Sequence, residues 1–427
     1  MAKEPGSKCK SLLRSVEERA LSKKVEEKQV PYLPKDCFSN ILVRLPIESL
    51  PSSRLVCKPW YKLINSPIFI DAHLRRSEVV LIFLTPIVKQ ETYLYPFSTR
   101  SISQEKPNTF SVEVNLLQLE STPLFHQPVI DPRRKSYIQF MEIKDGKSKI
   151  GEFNISCMGE ITASFNGLIL LENKLKRGRL VVMNPVTRKL TELPLGTLSQ
   201  PHQESYGFAL SYSTSEYKVV HLFHDELRYI NCEILNVGTR TWRPVNGPSF
   251  GLISWFGYKP VSAMGALHWV PHINDNDYIV SLHLENEKFH TVQLPKSYRT
   301  HDGIVEMGGS LCFVSHDEEM LQIGIWSLKG LSGEGWTKQH CITTGCILDM
   351  VPLFSMRTTE EMVFKRDEDG SLYAYDFQLQ VMRKIDMETP LSDCYLPHVN
   401  SLVSWCPKDS SEDGNYWIAF VLGIVDR

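Results

Sequence analysis

The spacing of apolar residues changes character once along the chain. Between residues 31 and 76 it is helical. Phe38, Ile41, Leu42 and Leu45 fall on one stripe, which predicts a helix opening near Leu33-Pro34. Leu45-Pro46 ends it, because a residue before proline is pushed away from helical angles. A second short helix is expected from Pro51 to Cys57, with proline in the first turn, where its missing N–H costs little. A third begins near Pro59, carries Trp60, Leu63 and Ile64 on one face, and stops at Asn65-Ser66-Pro67. From Glu78 onward the period is two. Val79-Val80-Leu81-Ile82-Phe83-Leu84 reads as a buried strand. Most later apolar runs are short, rich in β-branched and aromatic residues, and bounded by Gly, Pro, Asn or Asp.

The β region repeats. Its unit is a strand, a polar turn, and a second strand with a large apolar residue about six places on. Copies run from Val181 through Asn184-Pro185 to Leu190, from Cys232 through Asn236 to Trp242, and from Val280 through His283 to Phe289. Two more run from Ile323 through Ser327 to Trp336, with a longer turn, and from Leu372 through Asp376 to Met382. Asn184, Asn236, His283, Ser327 and Asp376 are then equivalent, at spacings of 52, 47, 44 and 49 residues. A further strand precedes several of these hairpins, as at Gly167, Gly265 and Gly308-Gly309. That period and unit predict the four-stranded blades of a β-propeller, roughly six to eight of them. A row of blades leaves exposed strand edges, so a closed ring is expected. The first strand, at Val79, should meet a last strand at Tyr416–Leu422 in one closing blade. Residues 85–150 fit the repeat poorly.

Composition narrows the function. The chain has 427 residues, 42% hydrophobic and 22% charged, with a formal net charge of -2. No basic excess exists to track a phosphate backbone, so nucleic acid is not an expected partner. No apolar run approaches the ~20 residues that cross a bilayer, so neither is a membrane. The first thirty residues are polar and of mixed charge, which predicts a disordered or weakly helical leader and a location in the cytoplasm or nucleus. The ten cysteines are scattered without a C-x-x-C pair and read as free thiols.

Candidate chemistry is sparse. His221/His224 and His268/His272 have spacings that would suit a metal on a helix, but here they fall in predicted strands and turns, so no metal or other cofactor is expected. No Walker loop, G-x-S-x-G or G-x-G-x-x-G occurs, and no carboxylate pair stands out for acid–base work. Trp242, Trp269, Trp326 and Trp336 could line a groove; packing between blades is the simpler reading. A ring can also host an enzyme or a sugar-binding site, a reading that leaves the helical segment unexplained.

Residues 33 to 76 resemble an F-box. The resemblance rests on Leu33-Pro34-Lys35-Asp36, Ile41-Leu42-Val43-Arg44-Leu45-Pro46, Leu55-Val56-Cys57-Lys58-Pro59-Trp60 and Leu63-Ile64. Residues 79 to 427 resemble the F-box-associated domain of the large plant F-box family, through Ser164-Phe165-Asn166-Gly167-Leu168, Asn184-Pro185-Val186-Thr187-Arg188, Gly265-Ala266-Leu267-His268-Trp269 and Ile325-Trp326. Pro51 stands where the family more often has leucine. The glycine doublet of kelch repeats occurs once, so the implied ring is kelch-like.

The expected organisation is a leader over 1–30, a small three-helix F-box over 31–76 and a mainly β, kelch-like propeller over 79–427. The resemblance implies a non-catalytic substrate receptor of an SCF-type ubiquitin ligase. The F-box would dock on a Skp-family adaptor and, through it, reach a cullin and a RING subunit, while the ring binds a target protein not named by the sequence. A scaffold acting outside a ligase is the alternative. The implied adaptor surface is Leu33, Pro34, Ile41, Leu42, Leu45, Pro46, Leu55, Val56, Cys57, Trp60, Leu63 and Ile64; for each, packing within the helices is the competing role. Target contacts are expected from loops at one rim of the ring.

Overall fold

The computed structural model describes residues 34–86, 135–157, 159–173, 179–198, 204–227, 229–248, 259–271, 277–296, 298–331, 335–343, 349–389, 391 and 394–405. The chain divides into two compact units, Met1–Phe69 and Ile70–Arg427. Leu33, the leader over 1–30 and Tyr416–Leu422 lie outside the described residues.

The helical segment holds four described α-helices where three were expected. They are α1 (Lys35–Leu42), α2 (Leu50–Ser53, preceded by a 3-10 turn at Ile47–Ser49), α3 (Lys58–Ile64) and α4 (Pro67–Arg76). The extra helix has a simple cause. Asn65-Ser66-Pro67 does end α3, but the same proline opens the next helix, where its fixed φ is already helical. Ser66 helps the restart, its Oγ accepting the Phe69 N–H at 3.3 Å. Leu42, Ile47, Leu50, Ile64 and Phe69 are buried. Phe38 of α1 and Trp60 of α3 lie with ring centroids 6.1 Å apart.

The second unit is a ring of six four-stranded antiparallel sheets. Blade 1 has the order β24 (Tyr395–Val399), β1 (Val79–Pro86), β2 (Ser136–Lys144) and β3 (Lys147–Cys157). Blade 2 runs β4 (Glu160–Phe165), β5 (Leu168–Asn173), β6 (Arg179–Met183), β7 (Leu190–Pro194), and blade 3 runs β8 (Glu204–Ser211), β9 (Glu216–His224), β10 (Ile230–Asn236), β11 (Thr241–Val245). Blade 4 is β12 (Val261–Ala263), β13 (Ala266–Trp269), β14 (Tyr278–His283), β15 (Lys288–Gln293). Blade 5 is β16 (Gly303–Met307), β17 (Ser310–Asp317), β18 (Gln322–Leu328), β19 (Trp336–Thr343), and blade 6 is β20 (Met350–Ser355), β21 (Glu361–Arg366), β22 (Leu372–Asp376), β23 (Val381–Lys384).

Six hydrophobic clusters show that the ring closes, each joining two successive blades. Blades 1 and 2 share Ile82, Ile138, Ile169 and Val181; blades 2 and 3 share Leu170, Val182, Phe208 and Val219; blades 3 and 4 share Val220, Ile234, Trp269 and Val280. Blades 4 and 5 meet through Ile279, Val292, Leu311 and Phe313, and blades 5 and 6 through Val314, Ile325, Met362 and Phe364. The sixth cluster returns to the start, with Val363 and Ala374 of blade 6 against Val79, Leu81 and Met141 of blade 1. Alternating strand residues therefore face opposite neighbours, which is why the period-two runs are apolar on both sides.

The five hairpins read from the sequence are the outer hairpins of blades 2 to 6. In four of them, the exception being blade 5 with its longer turn, a shared turn is visible in the backbone. Arg188, Arg240, Glu287 and Gln380 each stand four residues after an equivalent turn residue and adopt φ of 58°, 58°, 56° and 56°. The strand that pairs with β1 is Tyr395–Val399 (register Val79↔Val399, Phe83↔Tyr395). The poorly fitting 85–150 region supplies β2 and β3 of that closing blade.

Candidate adaptor surface and the two ends of the ring

The helical unit separates the expected adaptor residues by exposure. Pro34, at the start of α1, is exposed, as are Pro46 and Cys57. Ile41 is 52% exposed, Leu55 86% and Val56 63%. Leu45, Trp60 and Leu63 are half-buried. Leu42 and Ile64 have no exposed surface, so they are not displayed as Ile41, Leu55 and Val56 are. Tyr61 and Ile68 are also exposed and were missed by sequence reasoning; each is a large apolar residue off the core stripe of its helix, a signal that could have found them. Beside this group Arg54 keeps Nε buried with no hydrogen-bond partner among the described residues, and burial holds its guanidinium below the ordinary pKa.

In the ring, antiparallel meanders place connections at two alternating ends. At one end lie the first-to-second strand turns of blades 2 to 6 and the third-to-fourth strand turns of all six blades, none longer than seven residues. At the other lie the second-to-third strand loops and the blade-to-blade connections, including 87–135, 246–260 and 385–394. β1 begins and β24 ends at the tight-turn end. Glu78, just before β1, accepts the backbone N–H groups of Arg357 (2.6 Å) and Thr358 (2.9 Å) in the β20–β21 turn, and also the Thr358 hydroxyl. Residues 400–405, just after β24, lie on the β4–β5 and β6–β7 turns.

A cavity of about 550 Å³ is lined by residues of the six innermost strands, among them Thr162, Phe208, Val261, Ile304, Leu353 and Pro397. Lys259 reaches this lining and donates from Nζ to the Ile161 carbonyl at 2.6 Å; crowding by protein atoms pushes its pKa down.

The tryptophans pack and tie. Trp269 is 1% exposed and donates to Ser205 Oγ at 3.0 Å. Trp326 donates to Ser315 Oγ at 3.0 Å. Trp242 and Trp336, on the outer strands of blades 3 and 5, donate to the carbonyls of Pro194 and Gln293 in the preceding blades, at 3.0 and 2.6 Å.

The histidines singled out in the sequence are similarly committed. His221 is fully buried, with Nδ1 2.8 Å from Glu233 Oε1 and Nε2 3.1 Å from Glu204 Oε2. It stacks on Tyr206 at 4.3 Å. His268 bridges Ser281 Oγ and the Ala263 carbonyl, and burial pushes its pKa down to about 4. His272 lies outside the described residues. Among the described residues no group of three or more His, Cys, Asp or Glu side chains has a metal-holding arrangement, and no helix is long and apolar enough to cross a membrane.

Comparison with known proteins agrees with this architecture. Residues 31–71 match the F-box domain and residues 125–403 match the F-box associated beta propeller domain. The chain is 25% identical to the Arabidopsis thaliana F-box protein CPR1 over 72% of each chain. It is 22% identical to the F-box protein At4g22390 of the same plant, over 89% of this chain and 92% of that one. A putative F-box/kelch-repeat protein, At3g17570, is 24% identical over 58% of this chain and 55% of that one. A helical F-box followed by a six-bladed ring, matched over most of its length by one domain family, makes this chain a member of the plant-type F-box proteins with an F-box-associated β-propeller domain.

Proposed function

We propose that this chain is the target-recognition subunit of an SCF-type ubiquitin ligase, working in the cytoplasm or nucleus. The observation that carries the reading is the display of Ile41, Leu55 and Val56 on a unit that belongs to the F-box family. Three large apolar side chains held in water on so small a helical unit favour a partner that covers them. That partner is a Skp-family adaptor, which brings a cullin and a RING subunit. The chain itself contributes no covalent step. It raises the effective concentration of a target's lysines at the charged conjugating enzyme.

The long-connection end of the ring is the target-binding end in this reading. Long connections on a rigid scaffold are where binding residues concentrate. We read the ring as kelch-like: Gly308-Gly309 forms the β16–β17 turn, and one relative carries the kelch-repeat name.

The test is co-production with a plant Skp-family adaptor, comparing wild type with a variant in which Leu55 and Val56 are both replaced by glutamate. Wild type should co-purify with the adaptor and the folded variant should not. A folded wild-type chain that ignores the adaptor would sink the reading. Adaptor binding without ubiquitination of any captured target in the reconstituted ligase would favour a scaffold.

A further inference from the structure

The innermost strand of the closing blade and the segment after it occupy a slot built for one sequence. β24 pairs with β1 through five residues, and this much is backbone pairing that any extended segment could make. The contacts that follow are specific. His398 Nδ1 lies 2.8 Å from Ser164 Oγ of β4, across the seam between blades 1 and 2. Asn184, fully buried at the β6–β7 turn, donates from Nδ2 to the carbonyls of Ser401 (3.0 Å) and Val403 (2.9 Å). Its Oδ1 accepts the N–H groups of Val186 and Thr187 at 2.9 and 3.0 Å, so the whole amide is used.

Ser401 adds a lock. Its Oγ donates to the Asn166 carbonyl at 2.7 Å and accepts the Val403 N–H at 3.2 Å. It sits where a side chain on Gly167 would be: a Cβ there would come within 2.0 Å of Ser401 Oγ. Val403 and Trp405 then pack against the cluster shared by blades 2 and 3. Asp376 is the comparison within the molecule. Its Oδ1 caps the equivalent turn of blade 6 by accepting the Gln378 and Leu379 N–H groups, but an aspartate has no Nδ2 to donate. The turn therefore needs only the oxygen, and the amide nitrogen of Asn184 is left for the strap.

We propose that residues 395–405 form a separable clasp. The Asn166-Gly167 and Asn184-Pro185 turns are its receptor, and the ring opens and closes by release and return of this segment while blades 2 to 6 stay folded. The slot thus recognises an extended peptide with serine at the Gly167 contact and free carbonyls on either side of its successor, and it takes that peptide from the same chain.

The test uses the full chain with a protease site inserted at the exposed Glu388-Thr389 connection, cut after folding. The C-terminal fragment should stay bound through gel filtration, and a labelled synthetic peptide of residues 395–405 should exchange into its place. Asn184→Asp keeps the turn oxygen and removes both donated bonds; it should speed fragment release by about tenfold or more, the loss of a single net hydrogen bond or more. Ser401→Ala, a milder change, should speed it less. Circular dichroism of each cut protein reports that the remaining blades are intact. Release from wild type as fast as from Asn184→Asp would overturn the proposal. So would collapse of the whole ring when the fragment leaves, which would make the segment an inseparable part of one cooperative fold.

Discussion

His221 and Glu233 face each other across β9 and β10 at 2.8 Å, inside blade 3. Burial by itself would push the imidazolium down, but the carboxylates of Glu204 and Glu233 outweigh it and hold the His221 pKa above its ordinary value. On the other side, burial would raise Glu233, while His221 and the Thr197 N–H bring it below its ordinary value. Glu233 also accepts that N–H at 2.6 Å, so the pair anchors the blade 2 to blade 3 connection. The two signs define a window. The glutamate's contribution is present above its unfolded value of about 4.3 and fades as pH falls through its lower native value. The histidine's contribution is complete below about pH 6.5 and fades as pH rises through its higher native value. His221→Gln should therefore flatten the alkaline side of the stability profile. Thermal midpoints of wild type and variant, taken from pH 6 to pH 9, should converge as pH rises; parallel curves would remove the charge from His221.

Asn184→Ala leaves the buried Ser401 carbonyl, the partly buried Val403 carbonyl and two N–H groups without their partner. A loss of roughly 2 kcal/mol or more is expected, read as a lower midpoint in urea unfolding. Asn236→Ala is the control. Asn236 occupies the same turn position in blade 3 and its Nδ2 bonds to Glu216 Oε2, so its loss should cost less.

Gly167 and Ser401 should show coupling. Gly167→Ala is strained by φ of 85°, by the Val399 carbonyl oxygen at 2.8 Å from the new Cβ, and by the Ser401 side chain. Ser401→Gly removes the Ser401 contact and leaves the φ and the Val399 carbonyl. The double variant should be more stable than the sum of the two single losses predicts, by about 0.5–3 kcal/mol in a double-mutant cycle. Strict additivity would mean that the clash is absorbed elsewhere.

Leu42 and Leu55 should part company. Leu42→Ala opens a cavity in the helical core and should destabilise that unit by roughly 2–5 kcal/mol. Leu55→Ala removes an exposed side chain and should leave folding within about 0.5 kcal/mol, while weakening adaptor capture by about 2 kcal/mol if it is an anchor. Thermal unfolding and adaptor titration separate the two effects.

The sequence made the repeat legible because the outer hairpins of blades 2, 3, 4 and 6 share one turn, with a left-handed residue four places after its first residue, and a shared turn leaves a nearly fixed spacing within each hairpin. It hid the closing strand. Tyr395-Leu396-Pro397-His398-Val399 contains a proline, which argues against a strand wherever both edges are paired. In the ring this strand has a single sheet neighbour, and Pro397 lines the central cavity, so a missing N–H leaves no ladder bond unmade. The fourth helix was hidden differently, since one proline can both end and begin a helix. Along the adaptor face, periodicity found the apolar residues but could not say which pointed inward. Leu42 and Ile41 are neighbours in sequence and opposite in exposure, and only the packing of α1 against the other helices decides between them.

The division of the ring into a tight-turn end and a long-connection end has a bearing on how such a receptor can change. At the tight-turn end a single inserted residue would shift Asn184 or Gly167 away from the segment they hold. At the other end the cost of lengthening a flexible loop grows only as the logarithm of its length, about 0.6 kcal/mol for each doubling. New sequence can therefore be accommodated there at almost no expense to closure. One end of the molecule conserves its geometry so that the other can diversify.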